Sequence, residues 1–341
     1  MRKSKKRNKP LLKDIGEYKL LTYLKSKINT SCKNPSISLG IGDDAFVGNI
    51  SKNCSLVSTK DLLIEDIHFN RLWSDPYQIG YKAIAVNLSD LAAMGKCKPL
   101  YCLVGLGLPP NTSLEFVDKL YTGMQSISNK HDLSIVGGDT VSTKKSIVIS
   151  ITLLGEIYKK NIISRGCAKP GDIIVVNSTF GDSAAGMYLL RKKTKSTSKI
   201  NKYLINKHLL PVPRIKDAGI IADAKVATSM IDSSDGLSVS LKFITEESKV
   251  GAKVNLEKVP ISRQLKNLAQ KDKRLKPLEL ALNGGEDYEL LFTIKKGSFK
   301  KLKSVLPNAV AIGEITSKKG TRYYLNGHLK RETKQGYQHF R

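Results

Sequence analysis

Leu11, Leu12, Ile15, Leu21, Leu24 and Ile28 recur at helical spacing, which predicts an amphipathic helix over residues 11–28. Residues 55–59 read as a strand that runs into Lys60 and Asp61 and on toward Glu65, Asp66 and His68. Asp75-Pro76 then supplies a capping residue followed by proline in the first helical turn. The helix it opens is expected to reach Met94 and to stop at Gly95. Residues 83–94 are almost wholly apolar or small, so this helix is expected to be buried on most sides. Residues 100–108 form a buried strand ended by Pro109-Pro110, and Thr112-x-x-Glu115 is a capping box for a helix reaching Asn129. A short strand at 133–136 and a long one at 146–156 complete an alternation of strands and helices, which implies an α/β domain.

Residues 165–172 read as the turn between two domains. Beyond it come a strand at 173–176, a turn at Thr179-Phe180-Gly181-Asp182 leading into a helix, and a Lys/Ser/Thr-rich loop at 191–199. Strands at 227–231 and 288–294 follow, the first leading into a helix. The expected division is a basic, disordered tail over 1–10, an N-terminal domain over 11–160 and a C-terminal domain over 161–341.

The polar positions that break this pattern share one grammar. Gly40-Ile41-Gly42-Asp43-Asp44, Gly137-Gly138-Asp139-Thr140, Asp232-Ser233-Ser234-Asp235-Gly236 and Gly284-Gly285-Glu286-Asp287 each set carboxylates in a glycine turn beside a strand. Adjacent carboxylates repel unless a cation sits beside them. Asp43, Asp44, Asp61, Asp90, Asp139, Asp232 and Asp235 together offer hard oxygen ligands of the kind Mg²⁺ takes alongside substrate phosphates. Zinc would call for His and Cys, which these turns lack. Asn87 and Asp90 share one face of the apolar helix, where Asp90 meets either a metal or an internal hydrogen-bond cap. The usual nucleotide-site signatures, a G-x-x-x-x-G-K-[ST] loop and a G-x-G-x-x-G after a strand, are absent.

Charge and composition narrow the picture further. The 341 residues carry a formal net charge of +27, with lysines spread along the chain and a single Trp. Without an aromatic basic stripe, the charge reads as solvated surface that also attracts anionic substrates, and no specific nucleic-acid partner is expected. The five cysteines, with no CxxC pair, read as reduced and mostly buried thiols. No window approaches ~18 uninterrupted apolar residues and no apolar signal core follows the basic N-terminus, so a cytoplasmic protein with no membrane partner is expected.

The motifs occur in a fixed order: Gly40-Ile-Gly-Asp-Asp-Ala45, Asp61-Leu-Leu-Ile-Glu-Asp-Ile-His-Phe69, Ala85-Val-Asn-Leu-Ser-Asp-Leu-Ala-Ala-Met-Gly95, Gly137-Gly-Asp-Thr140, Ile231-Asp-Ser-Ser-Asp-Gly-Leu237 and Gly284-Gly-Glu-Asp-Tyr-Glu-Leu290. Six in this order, over nearly the whole chain, closely resemble the thiamine-monophosphate kinase family of the aminoimidazole ribonucleotide synthetase-like superfamily. The resemblance implies ATP-dependent phosphorylation of thiamine monophosphate to thiamine diphosphate, the last step in making that coenzyme. It implies an N-terminal α/β domain that binds ATP and several Mg²⁺, a C-terminal α+β domain, and a homodimer whose N-terminal strands join into a barrel. By residue, Asp44, Thr59, Asp61, Asp90, Asp139, Asp232 and Asp235 match the family's metal ligands; Gly138, Asp139, Arg165 and Ser234 match ATP contacts; His68, Glu286 and Tyr337 match contacts to the thiamine phosphate.

Two positions depart from the family pattern: Lys60 replaces a residue that often contacts metal, and Lys334 replaces a frequent Trp. The residues also admit plainer readings. His68 suits a core or structural role as well as a phosphate contact, Glu286 a solvated turn acid, Arg165 a linker salt bridge, and Phe69 and Trp73 core packing. A substrate phosphate with its second pKa near ~6 is already nucleophilic at neutral pH, so no side-chain base or nucleophile is expected. The nearest alternative is another ATP enzyme of the superfamily, resembling selenophosphate synthetase or a hydrogenase-maturation protein. The first would want a reactive Cys in an N-terminal glycine loop, unlike Ser31-Cys32-Lys33, and the second a C-terminal Cys, where this chain has His339-Phe340-Arg341.

Overall fold

The computed structural model describes residues 11–29, 36–39, 47–193 and 198–330, and the tail at 1–10 lies outside them. Two compact units emerge, one of residues 1–87 and 99–156 and one of residues 88–98 and 157–341. The end of the long apolar helix therefore groups with the second unit.

In the first unit, α1 (Leu12–Asn29) is followed by the short strands β1 (Ile37–Leu39) and β2 (Val47–Gly48), the long β3 (Cys54–Ile64) and α2 (Pro76–Ala93). Next come β4 (Lys98–Leu108), α3 (Leu114–Lys130), β5 (Ser134–Ser142) and β6 (Val148–Tyr158). Leu20, Leu24 and Ile28 of α1 are buried at the spacing of one helical face. Lys27 and Tyr23 of the same helix both reach Asp118 of α3, Lys27 at 2.5 Å. Proline at the start of α2 and Gly95 beyond its end, at φ +112°, bound the helix as its local signals predict.

The cap of α3 differs from the expectation by one residue. Ser113, not Thr112, accepts the Phe116 N–H at 3.1 Å. Thr112 is held one step earlier, its N–H donating to Pro109 O and its carbonyl accepting from Leu12 N, and its buried hydroxyl has no partner.

Four strands of this unit form a sheet in the order β3-β6-β4-β5, with β4 and β5 parallel. In β3, Leu56, Ser58, Lys60 and Leu62 are exposed while the residues between them are more covered, the period-two pattern of a strand with one wet face.

The second unit is built on a seven-stranded, mostly antiparallel sheet. Its elements are β7 (Ile173–Val176), α4 (Asp182–Arg191), α5 (Lys199–Leu209), α6 (Ile215–Ala224), β8 (Ala227–Asp232), α7 (Leu237–Glu247) and β9 (Gly251–Asn255). Then follow α8 (Arg263–Lys271), α9 (Pro277–Asn283), β10 (Leu290–Ile294), α10 (Phe299–Val305), β11 (Val310–Thr316), β12 (Gly320–Leu325) and β13 (His328–Lys330). The strand order is β13-β12-β9-β11-β7-β10-β8, with β12 and β9 parallel and the other neighbouring pairs antiparallel.

Alternate residues of the central strands enter two separate cores. Ile174, Val176 and Leu291 pack with Leu237, Leu241 and Ile244 of α7. Val175, Leu290 and Phe292 pack with Ile221 of α6 and Leu302 of α10. Helices thus cover both faces, which explains the near-continuous apolar runs of β7 and β10. Cys97 and Cys102 are buried as expected, whereas Cys54 is half-buried and Cys167 exposed.

Candidate active site

Asp61 and Asp139, the expected ligands of the first unit among the described residues, sit on strands and not in turns. Gly137, Gly138, Asp139 and Thr140 continue β5 in register with Leu103, Val104, Gly105 and Leu106 of β4, after a bulge at Cys102/Leu103. A Cβ on Gly138 would lie 1.9 Å from Val104 O, so glycine is needed there for the close approach of the two backbones. Asp139 is exposed, and its carboxylate accepts the Thr140 N–H at 2.8 Å. Thr59 and Asp61 lie two apart on one face of β3, with Lys60 on the opposite, exposed face. Lys60 therefore points away from the expected ligands on either side of it. Asp61 and Asp139 stand on the two edge strands, β3 and β5, which are three strand spacings apart, about 14 Å across the sheet.

His68 follows β3 in a tight turn. Its backbone N–H donates to Ile64 O at 2.9 Å, and its Nδ1 accepts the Ile64 N–H at 3.0 Å. An accepting Nδ1 leaves the ring proton on Nε2, a donor suited to a phosphate oxygen. The half-buried ring thus has both a structural bond and the chemistry of an anion contact. Phe69 beside it is core, only 5% exposed, and Trp73 is half-buried.

The second unit gathers its polar residues where β8, α7 and the Gly284–Asp287 loop meet. Ser89, near the end of α2, donates its hydroxyl to Asp232 Oδ2 at 2.7 Å, so the Asp90 segment and the end of β8 are neighbours. Asn87 spends its amide N–H on Ala83 O at 3.0 Å, while its buried Oδ1 has no partner. Ser234 Oγ lies 3.2 Å from Asp235 Oδ2. The Ser234 carbonyl accepts the Glu286 N–H at 2.6 Å, and the Ser233 carbonyl accepts the Tyr288 N–H at 2.9 Å. Ser234 and Glu286 are therefore stitched together by backbone. Arg165 stands in a short 3₁₀ turn, exposed, its guanidinium 5.6 Å from the ring centre of Phe243.

Behind this loop runs a buried charged layer. Asp287 accepts from Gly181 N at 2.7 Å and Ser183 N at 3.1 Å, yet its burial pushes the carboxyl up to about 8. Burial likewise raises the Asp182 carboxyl, against hydrogen bonds from Ser262 and Thr179. Glu289 takes Arg214 at 2.5 Å through two nitrogens and Lys207 at 3.2 Å. His208 Nδ1 lies 3.1 Å from Glu286 Oε2.

This arrangement has known relatives. Residues 42–157 match the AIR synthase related protein, N-terminal domain, and residues 169–326 its C-terminal domain. The chain is 42% identical to the thiamine-monophosphate kinase of Buchnera aphidicola subsp. Schizaphis graminum, covering 88% of this chain and 92% of that protein. It is 34% identical to that of Escherichia coli K12, over 95% of this chain and 98% of that protein. The chain belongs to the thiamine-monophosphate kinase family.

Among solved structures, that of AaThiL complexed with AMPPCP and TMP matches with a TM-score of 0.77 and 31% identity, covering 98% of this chain and all, 100%, of that one. The Stenotrophomonas maltophilia thiamine-monophosphate kinase matches with a TM-score of 0.81 and 30% identity, over 90% and 96% of the two chains. Escherichia coli HypE, a hydrogenase maturation protein, matches with a TM-score of 0.73 at 18% identity and shares the fold alone.

Set against the family's motifs, the first unit holds Thr59, Asp61, His68, Gly138 and Asp139, and the second holds Asp90, Arg165, Asp232, Ser234, Asp235 and Glu286. Asp44, Tyr337 and Lys334 lie outside the described residues. No group of three or more His, Cys, Asp or Glu side chains among the described residues is close enough to hold a metal ion. Sequence reading missed Ser89, Asp182, Ser183, His208, Arg214 and the role of Glu289. The one signal available was the scarcity of histidine, five in the chain, which sets His208 apart.

Proposed function

We propose that this chain transfers the γ-phosphoryl group of ATP to thiamine monophosphate, giving thiamine diphosphate, by direct in-line displacement. The observation that carries this reading is the near-complete correspondence with AaThiL complexed with AMPPCP and TMP. The backbone link between Ser234 and Glu286 supports it, because the sequence resemblance implies an ATP contact at one and an acceptor contact at the other.

Several Mg²⁺ ions suit the donor chemistry of the expected ligands, since Thr59, Asp61 and Asp139 of the first unit and Asp90, Asp232 and Asp235 of the second are oxygen donors without thiolate or imidazole. When bound, they supply neutralisation of the polyphosphate charge. The chain's own residues do the rest. Arg165 and the backbone at Gly138 hold ATP oxygens, and Nε2–H of His68 meets the acceptor phosphate. The Glu286 carboxylate faces the positively charged part of thiamine monophosphate. The acceptor phosphate is a dianion at neutral pH, so positioning and charge stabilisation suffice and no base is needed. Homodimerisation through the first unit is supported by Leu56, Leu62 and Val141, which are 55%, 47% and 55% exposed on the two edge strands. No described helix is long and apolar enough to cross a membrane.

The test is product formation by the purified chain with ATP, Mg²⁺ and thiamine monophosphate. ADP and thiamine diphosphate are expected in equal amounts. A preference for free thiamine, or no turnover, would contradict the assignment.

A further inference from the structure

His208 is buried, 4% exposed, at the end of α5, and the family motifs do not include it. Its Nδ1 faces two oxygens, Ser183 Oγ at 3.1 Å and Glu286 Oε2 at 3.1 Å. A Ser–His–Glu grouping suggests a hydrolytic triad, but the geometry excludes one. A relay needs serine and carboxylate on opposite ring nitrogens, and here both meet Nδ1. Ser183 is also only 1% exposed, so no substrate reaches it.

An ionised carboxylate only accepts, so the 3.1 Å approach of Glu286 Oε2 suits the tautomer with its hydrogen on Nδ1. Lys207 and Arg214 both meet Glu289. Glu286 itself sits at φ +66°, in the left-handed region, pinned by its N–H to Ser234 O. Backbone and imidazole thus fix the carboxylate from two sides while it remains 23% exposed.

We propose that His208 is a positioning residue that aims the Glu286 carboxylate at the cationic part of thiamine monophosphate. The inference rests on the acceptor assignment above. Ser183 Oγ, 3.1 Å from the same Nδ1, is a second acceptor for that hydrogen, and the Ser183 N–H ties it to Asp287. His208 would then act on acceptor binding and leave ATP binding alone.

Steady-state kinetics on the full chain separate this from a packing role. An Asn side chain presents an N–H near the position of Nδ1, whereas Gln presents it near Nε2. His208→Gln is expected to raise KM for thiamine monophosphate about tenfold, in line with losing a hydrogen bond to a charged group. His208→Asn is expected to stay within about threefold of the parent, and KM for ATP to move less than about twofold in either. In a Glu286→Gln background, His208→Gln should add less than about twofold, because its partner is already neutral. Equal impairment by Asn and Gln, parallel changes in both KM values, or undiminished cost in the Glu286→Gln background would overturn the proposal. A parent protein that turns over no thiamine monophosphate would overturn the acceptor assignment and this inference together. Normal parent turnover with indistinguishable variants would overturn only this inference.

Discussion

Gly137-Gly138-Asp139 and Gly284-Gly285-Glu286-Asp287 look alike in sequence and behave differently in the fold. The first is strand: its glycines let β5 lie against β4, and its carboxylate stands in solvent with one local N–H. The second is a loop whose two acids part company. Glu286 stays partly exposed with its carboxylate 3.1 Å from the buried His208, while Asp287 turns inward and binds two backbone N–H groups of the α4 start. Glycine next to acid is therefore not one device. In one place it makes room for a neighbouring backbone, and in the other it frees a loop to send adjacent acids in opposite directions.

The largest effect should come from the exposed acid. Asp139→Asn keeps the local bond to Thr140 N but removes the charge, and kcat/KM is expected to fall roughly 100-fold or more with the melting temperature almost unchanged. A variant with ordinary turnover at low Mg²⁺ would strip Asp139 of its ligand role. Gly138→Ala should act on folding instead. A methyl 1.9 Å from Val104 O forces the strands apart, with an expected loss of roughly 3 kcal/mol measured by denaturant unfolding. Unfolding equal to the parent's would mean that β5 shifts freely.

The buried acid predicts a pH effect. Asp287 is raised to about 8 in the folded chain, from an unfolded value near ~3.9. A group raised on folding contributes stability below its unfolded pKa and loses it as pH climbs through the folded one. Stability should therefore fall between roughly pH 4 and 8, and Asp287→Asn should flatten that fall. An unchanged slope in the variant would assign the pH dependence to other groups.

Local signals made α2 legible from end to end, because Asp75-Pro76 and Gly95 act within one turn of the chain. The Gly137–Thr140 strand was read as a turn for an equally physical reason. Two glycines argue locally for a bend, and only pairing with β4, some 30 residues away in sequence, overrides them. The cap of α3 was misread by one position because Thr112 and Ser113 are both good caps, and the Pro109 carbonyl decides between them. The pairings of β9 with β11 and β12, and of β11 with β7, join residues far apart in the chain and left little trace in the sequence, whereas the β12–β13 hairpin is local and was not read. For the site, the carboxylates were visible as types in a pattern. The groups that orient them, Ser89 for Asp232 and His208 for Glu286, are 143 and 78 residues distant and have no spacing to betray them.

If the exposed acid serves ATP and the loop acid serves the acceptor, the two must fail in different ways. One set of initial rates, varying ATP and thiamine monophosphate for the parent, Asp139→Asn and Glu286→Gln, decides this. Asp139→Asn should weaken the use of Mg²⁺-ATP, and Glu286→Gln should raise KM for thiamine monophosphate alone. If both variants shift the same constant, the two glycine–acid stretches share one task and their division into an ATP side and an acceptor side is wrong.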